Sequence, residues 1–427
     1  MATVMEKDIL FRSGGACLTK YGVPWYRRRW DKDEAEAYTF TRADASTCAT
    51  YVDQGLLIRN AVAGKLRGDW TGSSLGLLLE GARTNLCLQS EDFATTWSAV
   101  GTPVITTNAA TCGVLTLDLI RDDNGAAIEG YTQSFATGIV ATGLNALSFF
   151  VAVGSTVPAT YTDIALYDTT AAANRFRASI TWSGTVAVVT CSLGTLLSSI
   201  ALGGGVYRIL LQTSTCLVAN GHQIEVYPAG GSAADVGGVY VGGVQLENAP
   251  YPSSYIKTTA ATIARTADLL TFPIGFGPQT VTVYARVPRP AHADALGNFG
   301  AQPTLVRISS GSGMIELVAN AAARQWDANL VDADGATKGA VAAFPAGSTL
   351  EACVQYDACD TAPRVRLDVG SGFGSWSATG SAFTTWGGAA ILNLGTLAGN
   401  CWDGGIEQLM IARGAFTLAE MQTWAAL

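Results

Sequence analysis

The chain has 427 residues, of which 48% are apolar and only 14% charged, with a net charge of −8. So sparse and acidic a charge set excludes a protein that tracks a phosphate backbone, which requires a basic face. No apolar run reaches the ~18 residues of a membrane-spanning helix, and the opening MATVMEKDILFRSGG lacks the apolar core of a signal peptide; synthesis in a cytoplasm, without membrane insertion, is expected.

Length suggests two or three domains, and abundant Gly, Ser and Thr with few charges suits close-packed sheets and turns. Residues 1–79 read as an extended N-terminal attachment segment. They hold Trp25, Tyr26, Arg27, Arg28, Arg29 and Trp30, followed by an acidic stretch from Asp31 to Glu36. Trp, Tyr and Arg are the residue types enriched at protein–protein hot spots, so this run is a candidate assembly interface, with a solvated loop as the alternative.

Residues 80–268 read as strands. The segments 146–154, 162–168, 175–182, 186–193, 206–213 and 222–228 are rich in Val, Ile, Tyr, Phe and Thr, and Arg175–Ile180 alternates with period two. Gly203-Gly204-Gly205 reads as a turn before a strand. Many short strands separated by turn residues predict a two-sheet sandwich. Residues 269–427 repeat the pattern at 280–288, 303–311, 313–321, 350–357, 364–370, 389–396 and 406–414. Thr417 and Glu420 form a capping-box signature, so a short terminal helix is expected to pack Met421 and Trp424 onto the second sandwich. The boundary is placed near 258–274. The fold class is therefore all-β, with tandem jelly-roll-like β-sandwich domains at 80–268 and 269–427 behind the N-terminal segment.

Leu77–Leu86, then Gln89-Ser90-Glu91-Asp92-Phe93 and Trp97, resemble a segment common in bacteriophage tail-fibre and other virion appendage proteins. Phe40–Ala43 and Ala49–Leu56 upstream are similar to the same proteins, as are Gly243–Glu247, Pro252–Thr258 and Arg265–Asp268 downstream. The resemblance implies a carbohydrate-binding-module-like jelly roll bracketed by these ends. The C-terminal half is similar to laminin-G or concanavalin-A-like sandwiches, through Thr282–Arg286 and Ile406–Met421. It further implies a place on the virion, other virion proteins as partners, a homo-oligomer with a trimer favoured, and a host-surface glycan as ligand. Capsid decoration or a head fibre is the alternative placement. At the bracket, Glu80, Arg83, Asn85, Glu247 and Arg265 are read as a structural polar cluster, because the planar donor fork of Arg suits buried pairing.

Chemistry is sparse. The histidines are His222 and His292, neither within a triad motif. Loop acids Glu91, Asp92, Asp122, Asp123 and Asp403 could serve glycoside hydrolysis only as a pair at set separation, and nothing singles out a pair; a polysaccharide-degrading enzyme is the lesser alternative. The stretches Asp122–Gly125 and Asp332–Gly335 are turns first and calcium loops second, since neither follows the twelve-residue loop; no cofactor is expected. The nine scattered cysteines read as buried small apolar residues, with disulfides the alternative. Trp97, Trp182, Trp386 and Trp402, with Trp326 and Trp376, are candidate glycan contacts, the alternative being core packing.

Overall fold

The computed structural model describes residues 7–12, 39–42, 49–64, 66–69, 76–158, 160–230, 233–274, 280–288, 304–310, 313–320, 325–331, 337–344, 349–357, 364–370, 372–377, 390–394, 404–406, 408–413, 415 and 417–426. The fold is nearly all β, built of antiparallel sheets. Two compact units emerge: a central unit, Asp44–Ala61 with Ala82–Arg265, and a C-terminal unit, Met1–Ala43 with Val62–Gly81 and Thr266–Leu427.

Among the described residues the two large sheets of the central unit use twelve strands: β1 (Ser98–Val100), β2 (Val104–Cys112), β3 (Leu115–Asp122), β4 (Gly130–Phe135), β5 (Ala146–Val153), β6 (Thr162–Asp168), β7 (Ala173–Ser183), β8 (Val186–Leu193), β9 (Thr195–Ala201), β10 (Tyr207–Gln212), β11 (His222–Tyr227) and β12 (Gly237–Glu247). A front sheet runs β8-β7-β6-β11-β4-β1 and a back sheet β9-β10-β5-β12-β3-β2. The inner strands β7-β6-β11-β4 and β10-β5-β12-β3 have the order of an eight-stranded jelly roll; β8 and β9 widen it on one side, β1 and β2 on the other. Between the sheets lie Leu147, Phe149, Val151, Ile164, Leu166, Phe176, Ile180, Ile209, Ile224, Val226, Val239 and Val241, all buried.

The two sheets differ in how their outer faces are covered, and the sequence pattern follows from that difference. The back sheet is covered by residues 49–61 and 250–258. Thr50 Oγ1 donates to the Tyr255 carbonyl at 2.8 Å, Gln212 Nε2 to the Pro250 carbonyl at 2.8 Å, and Tyr255 packs edge-on to Phe150 at 5.5 Å. β5 and β12 are thus buried on both faces, which is why ALSFFVAV shows no alternation. The front sheet has one wet face, and β7 alternates buried and half-buried from Arg175 to Ile180.

In the C-terminal unit, Lys7–Arg12 pairs with Gln408–Arg413, Thr39–Thr41 with Leu269–Ile274, and Gly76–Leu79 with both Arg67–Asp69 and Gly404–Ile406. Outside residues 49–61, the described strands within the first 79 residues are thus paired into sheets with the C-terminal part of the chain. They complete the C-terminal sheets, with Phe40, Leu77 and Leu79 in that core, while residues 49–61 cover the jelly roll. Pairing satisfies backbone groups that an isolated extended segment would leave to water. The helix α1 (Leu418–Ala426) begins with a reciprocal capping box: Glu420 N–H donates to Thr417 Oγ1 at 3.2 Å, and Thr417 N–H to Glu420 Oε2 at 2.8 Å. Leu418 and Met421 are buried beneath it; the side chain of Trp424 lies outside the described residues.

Candidate functional site

The polar residues marked in the sequence are shared between the two units. Glu80 belongs to the C-terminal unit, where its carboxylate meets Arg67 at 2.8 Å. Arg67 and Arg42 both pair with Asp268, whose Oδ2 also accepts the Glu80 N–H at 3.0 Å. Burial pushes the Arg67 pKa down, but the charges of Glu80 and Asp268 outweigh it and the net shift is upward.

Arg83, Asn85, Glu247 and Arg265 belong to the central unit. Arg83 and Arg265 are opposite one another in a small ladder of Arg83–Asn85 with Ile263–Arg265. Asn85 Nδ2 donates to the Val244 and Ile256 carbonyls at 3.1 and 2.9 Å, and its Oδ1 accepts from the Cys87 and Leu246 N–H groups at 3.0 and 3.2 Å. Glu247 accepts from Ser253 N–H, Ser253 Oγ and Gln245 Nε2 at 2.6–2.8 Å. Burial raises the Glu247 pKa against the pull of nearby Arg83 and these donors. Arg265 Nη1 donates to Ser254 Oγ at 2.7 Å.

Glu91, a candidate catalytic acid, is buried and accepts from Tyr255 OH, Lys257 Nζ and the Thr116 N–H and Oγ1. Ser90 Oγ lies 2.7 Å from Tyr255 OH and accepts the Thr258 N–H at 2.9 Å. These residues tie the jelly roll's first and last segments together; their oxygens are spent on protein partners.

The remaining candidates fare as follows. Asp92 caps the Ala94 N–H at 2.9 Å. Asp122 accepts from Asn124 and Glu129 N–H groups, as a turn residue does. Among the described residues no group of three or more His, Cys, Asp or Glu side chains is placed to hold a metal. Trp97 is in the core, 4.4 Å from Phe93, and Trp326 is fully buried. Trp182 is half-buried on the core side, its Nε1 3.4 Å from Thr162 Oγ1. Trp376 is half-buried under the guanidinium groups of Arg364 and Arg366, each 4.5 Å from its ring. The described cysteines Cys87, Cys112, Cys191, Cys216 and Cys353 are free thiols, and burial pushes that of Cys191 up to about 11. Residues Trp25–Trp30, His292, Asp332–Gly335, Trp386, Trp402 and Asp403 lie outside the described residues.

The wet face of the front sheet brings together residues that the sequence reading treated only as strand positions. Asp163 on β6 is opposite Tyr227 on β11, and Ala165 is flanked by Glu225 on β11 and Arg177 on β7. Arg177 Nε lies 3.2 and 3.0 Å from the Asp163 oxygens, with Nη2 at 2.8 Å. The Arg177 side chain is 38% exposed and that of Asp163 5%. Burial raises the Glu225 pKa, and the Asp163 charge adds to the rise. Burial, with Glu225 and Asp163 adding charge, pushes Tyr227 up to about 12. Small Ala165 forms the floor between two charged flanks and a phenol. Such a patch offers carboxylate acceptors, a guanidinium donor and an aromatic face on a rigid sheet, the groups that grip a neutral polyhydroxylated ligand. Period-two alternation marked these strands; the register that makes their polar residues neighbours has no sequence signal. No family model matches the chain, and no curated protein matches it either.

Proposed function

We propose that the chain is a structural protein of a bacteriophage virion, a tail fibre or tail appendage, whose jelly roll adheres to a host-surface glycan through the wet face of its front sheet. The sequence resemblance supports the appendage assignment. The observation that carries the binding role is the Asp163–Arg177–Glu225–Tyr227 patch on the outer face of the front sheet. No catalysis is part of this reading: Asp163 is clamped by Arg177, and Glu91 by four donors.

Binding of host surface polysaccharide to the purified chain tests the site. Tyr227→Ala and Glu225→Gln should each weaken binding about tenfold, the equivalent of ~1.4 kcal/mol, without releasing new reducing ends in any sample. Wild-type affinity in both variants would exclude this face. Labelling with antibody on intact particles tests the placement: a few copies at the tail tip are expected, and a dense lattice over the capsid would replace adhesion with decoration.

A further inference from the structure

We propose that β8 is a self-pairing edge through which a second copy of this chain joins the front sheet, strand to strand and antiparallel. A sheet edge carries a row of unpaired N–H and C=O groups, and natural proteins blunt it with charge, proline, bulges or brevity. Three of the four edges of the central unit's two large sheets are blunted in this way. β1 has three residues. β2 is broken by a register shift opposite Leu117–Leu119, with Asn108 at φ 51°. β9 has a register shift at Leu196–Ser198.

β8 carries one register shift, between Cys191 and Leu193 near its C-terminal end, and none of these devices before it. From Val186 to Cys191 it pairs with β7 in unbroken register, Ser183 opposite Val186 through Ala178 opposite Cys191. The run VAVVTCSL contains no Pro, Gly or charge, and no Asp, Glu, Lys or Arg occurs between Arg177 and Arg208. Its outward side chains Val186 and Val188 are 49% and 47% exposed, beside Thr181, Ser183 and Thr190 on the same face. Among the described residues no strand lies on its free side.

The occupant follows from charge and symmetry. The chain carries a net −8, so two copies repel overall, and an uncharged edge is a place where that repulsion is weakest. That edge offers a charged partner nothing to pair with, whereas an identical strand reversed about a two-fold axis matches it group for group, an isologous contact. β8 and β9 also lie outside the eight-stranded jelly roll and bury little: of β8 only Ala187 is fully buried. The two-fold relation differs from the three-fold one that the appendage resemblance suggests.

Sedimentation velocity of the full chain from about 1 to 100 µM tests this; strand pairing alone buries well under the ~1,000 Å² of a stable interface, so association should rise with concentration. The wild type should move from 44.3 kDa toward twice that mass, and Val188→Lys should stay monomeric. Val341→Lys, at a 63% exposed valine elsewhere, should behave as wild type. Amides of residues 186–193 should gain hydrogen-exchange protection with concentration in the wild type alone. A wild type monomeric at 100 µM, a Val188→Lys that dimerises normally, a trimeric mass, or unchanged exchange in β8 would each overturn the proposal.

Discussion

Replacing Asn85 should cost more than any polar substitution on the wet face, because one side chain joins three chain segments. Its amide is fully buried and makes four hydrogen bonds: two donated to the Val244 and Ile256 carbonyls, two accepted from the Cys87 and Leu246 N–H groups. The placement of two carbonyls on one side and two N–H groups on the other permits one amide orientation. At a net ~1 kcal/mol per bond, with the orphaned main-chain groups partly rehydrated in the space left, Asn85→Ala should lose about 3 kcal/mol. That is roughly 6–12 °C in the melting temperature of a domain this size. Asn85→Asp preserves shape and both accepted bonds but turns two donors into a carboxylate facing two carbonyls. Its folded-state pKa must then rise above the unfolded ~3.9, so the stability of this variant is present below that value and lost as pH rises through the folded pKa. Calorimetry of wild type and both variants at pH 4 and 7 checks this, alongside exchange of the 85–87 and 244–246 amides. Asn85→Ala melting within 2 °C of wild type, less than ~1 kcal/mol, would refute the reasoning.

Three other outcomes follow from the same structure. Arg67→Met should destabilise the C-terminal unit by about 3–5 kcal/mol in denaturant unfolding, since it takes the guanidinium from between the buried carboxylates of Glu80 and Asp268 and leaves Asp268 with Arg42. His222 is buried, with Asp168 Oδ2 3.8 Å away; burial lowers its pKa, aided by Arg175 and opposed by Asp168 and the Asn220 backbone. The unfolded imidazole therefore takes its proton first, and stability should fall as pH drops below the unfolded value of about 6.5, by no more than ~1.4 kcal/mol per pH unit; a wild-type minus His222→Leu difference that is flat from pH 8 to 5 would exclude this. Thr417→Ala removes the hydroxyl side of the α1 capping box, keeping the Thr417 N–H bond to Glu420, and should cost about 1 kcal/mol locally, read as faster exchange of the Glu420 and Met421 amides.

How much of this was legible in the sequence depended on which faces are buried. Strands with β-branched and aromatic runs were read nearly to the residue: 162–168, 186–193 and 280–288 match Thr162–Asp168, Val186–Leu193 and Thr280–Pro288. β2 was not, because VITTNAATC is an exposed edge with little apolar content. β12 was not read as a strand either, because four glycines in GGVYVGGVQLE suggest turns. There the glycines answer close approach: a Cβ on Gly242 would stand 2.4 Å from the Thr116 carbonyl oxygen, and one on Gly243 (φ +57°) 2.5 Å from Phe150 Cδ2. The chain's division was hidden for a related reason. Phe40, Leu77 and Leu79 are too few to suggest a core alone, and their partners lie beyond residue 269.

The residues that carry the appendage resemblance bear on function only indirectly, and the asymmetry of the jelly roll shows how. Asn85, Ser90, Glu91, Gln245, Glu247, Ser253 and Tyr255 all hold the segment 250–258 against the back sheet. With that segment in place, Ser148 and Phe150 on the outer side of β5 are inaccessible, so the middle of the back sheet is closed to a ligand. On the front sheet the Arg177 side chain is 38% exposed and Glu225 and Tyr227 are half-buried, around a buried Asp163. If the knot at Asn85 and Glu247 were weakened without unfolding the unit, the back sheet would open while the front patch kept its geometry, because β6, β7 and β11 pair with each other and not with the knot. Glycan affinity should therefore survive a variant such as Ser253→Ala, which removes one 2.6 Å bond to Glu247, even as its melting temperature falls. Loss of both together would mean that ligand binding uses the back of the jelly roll, not its front.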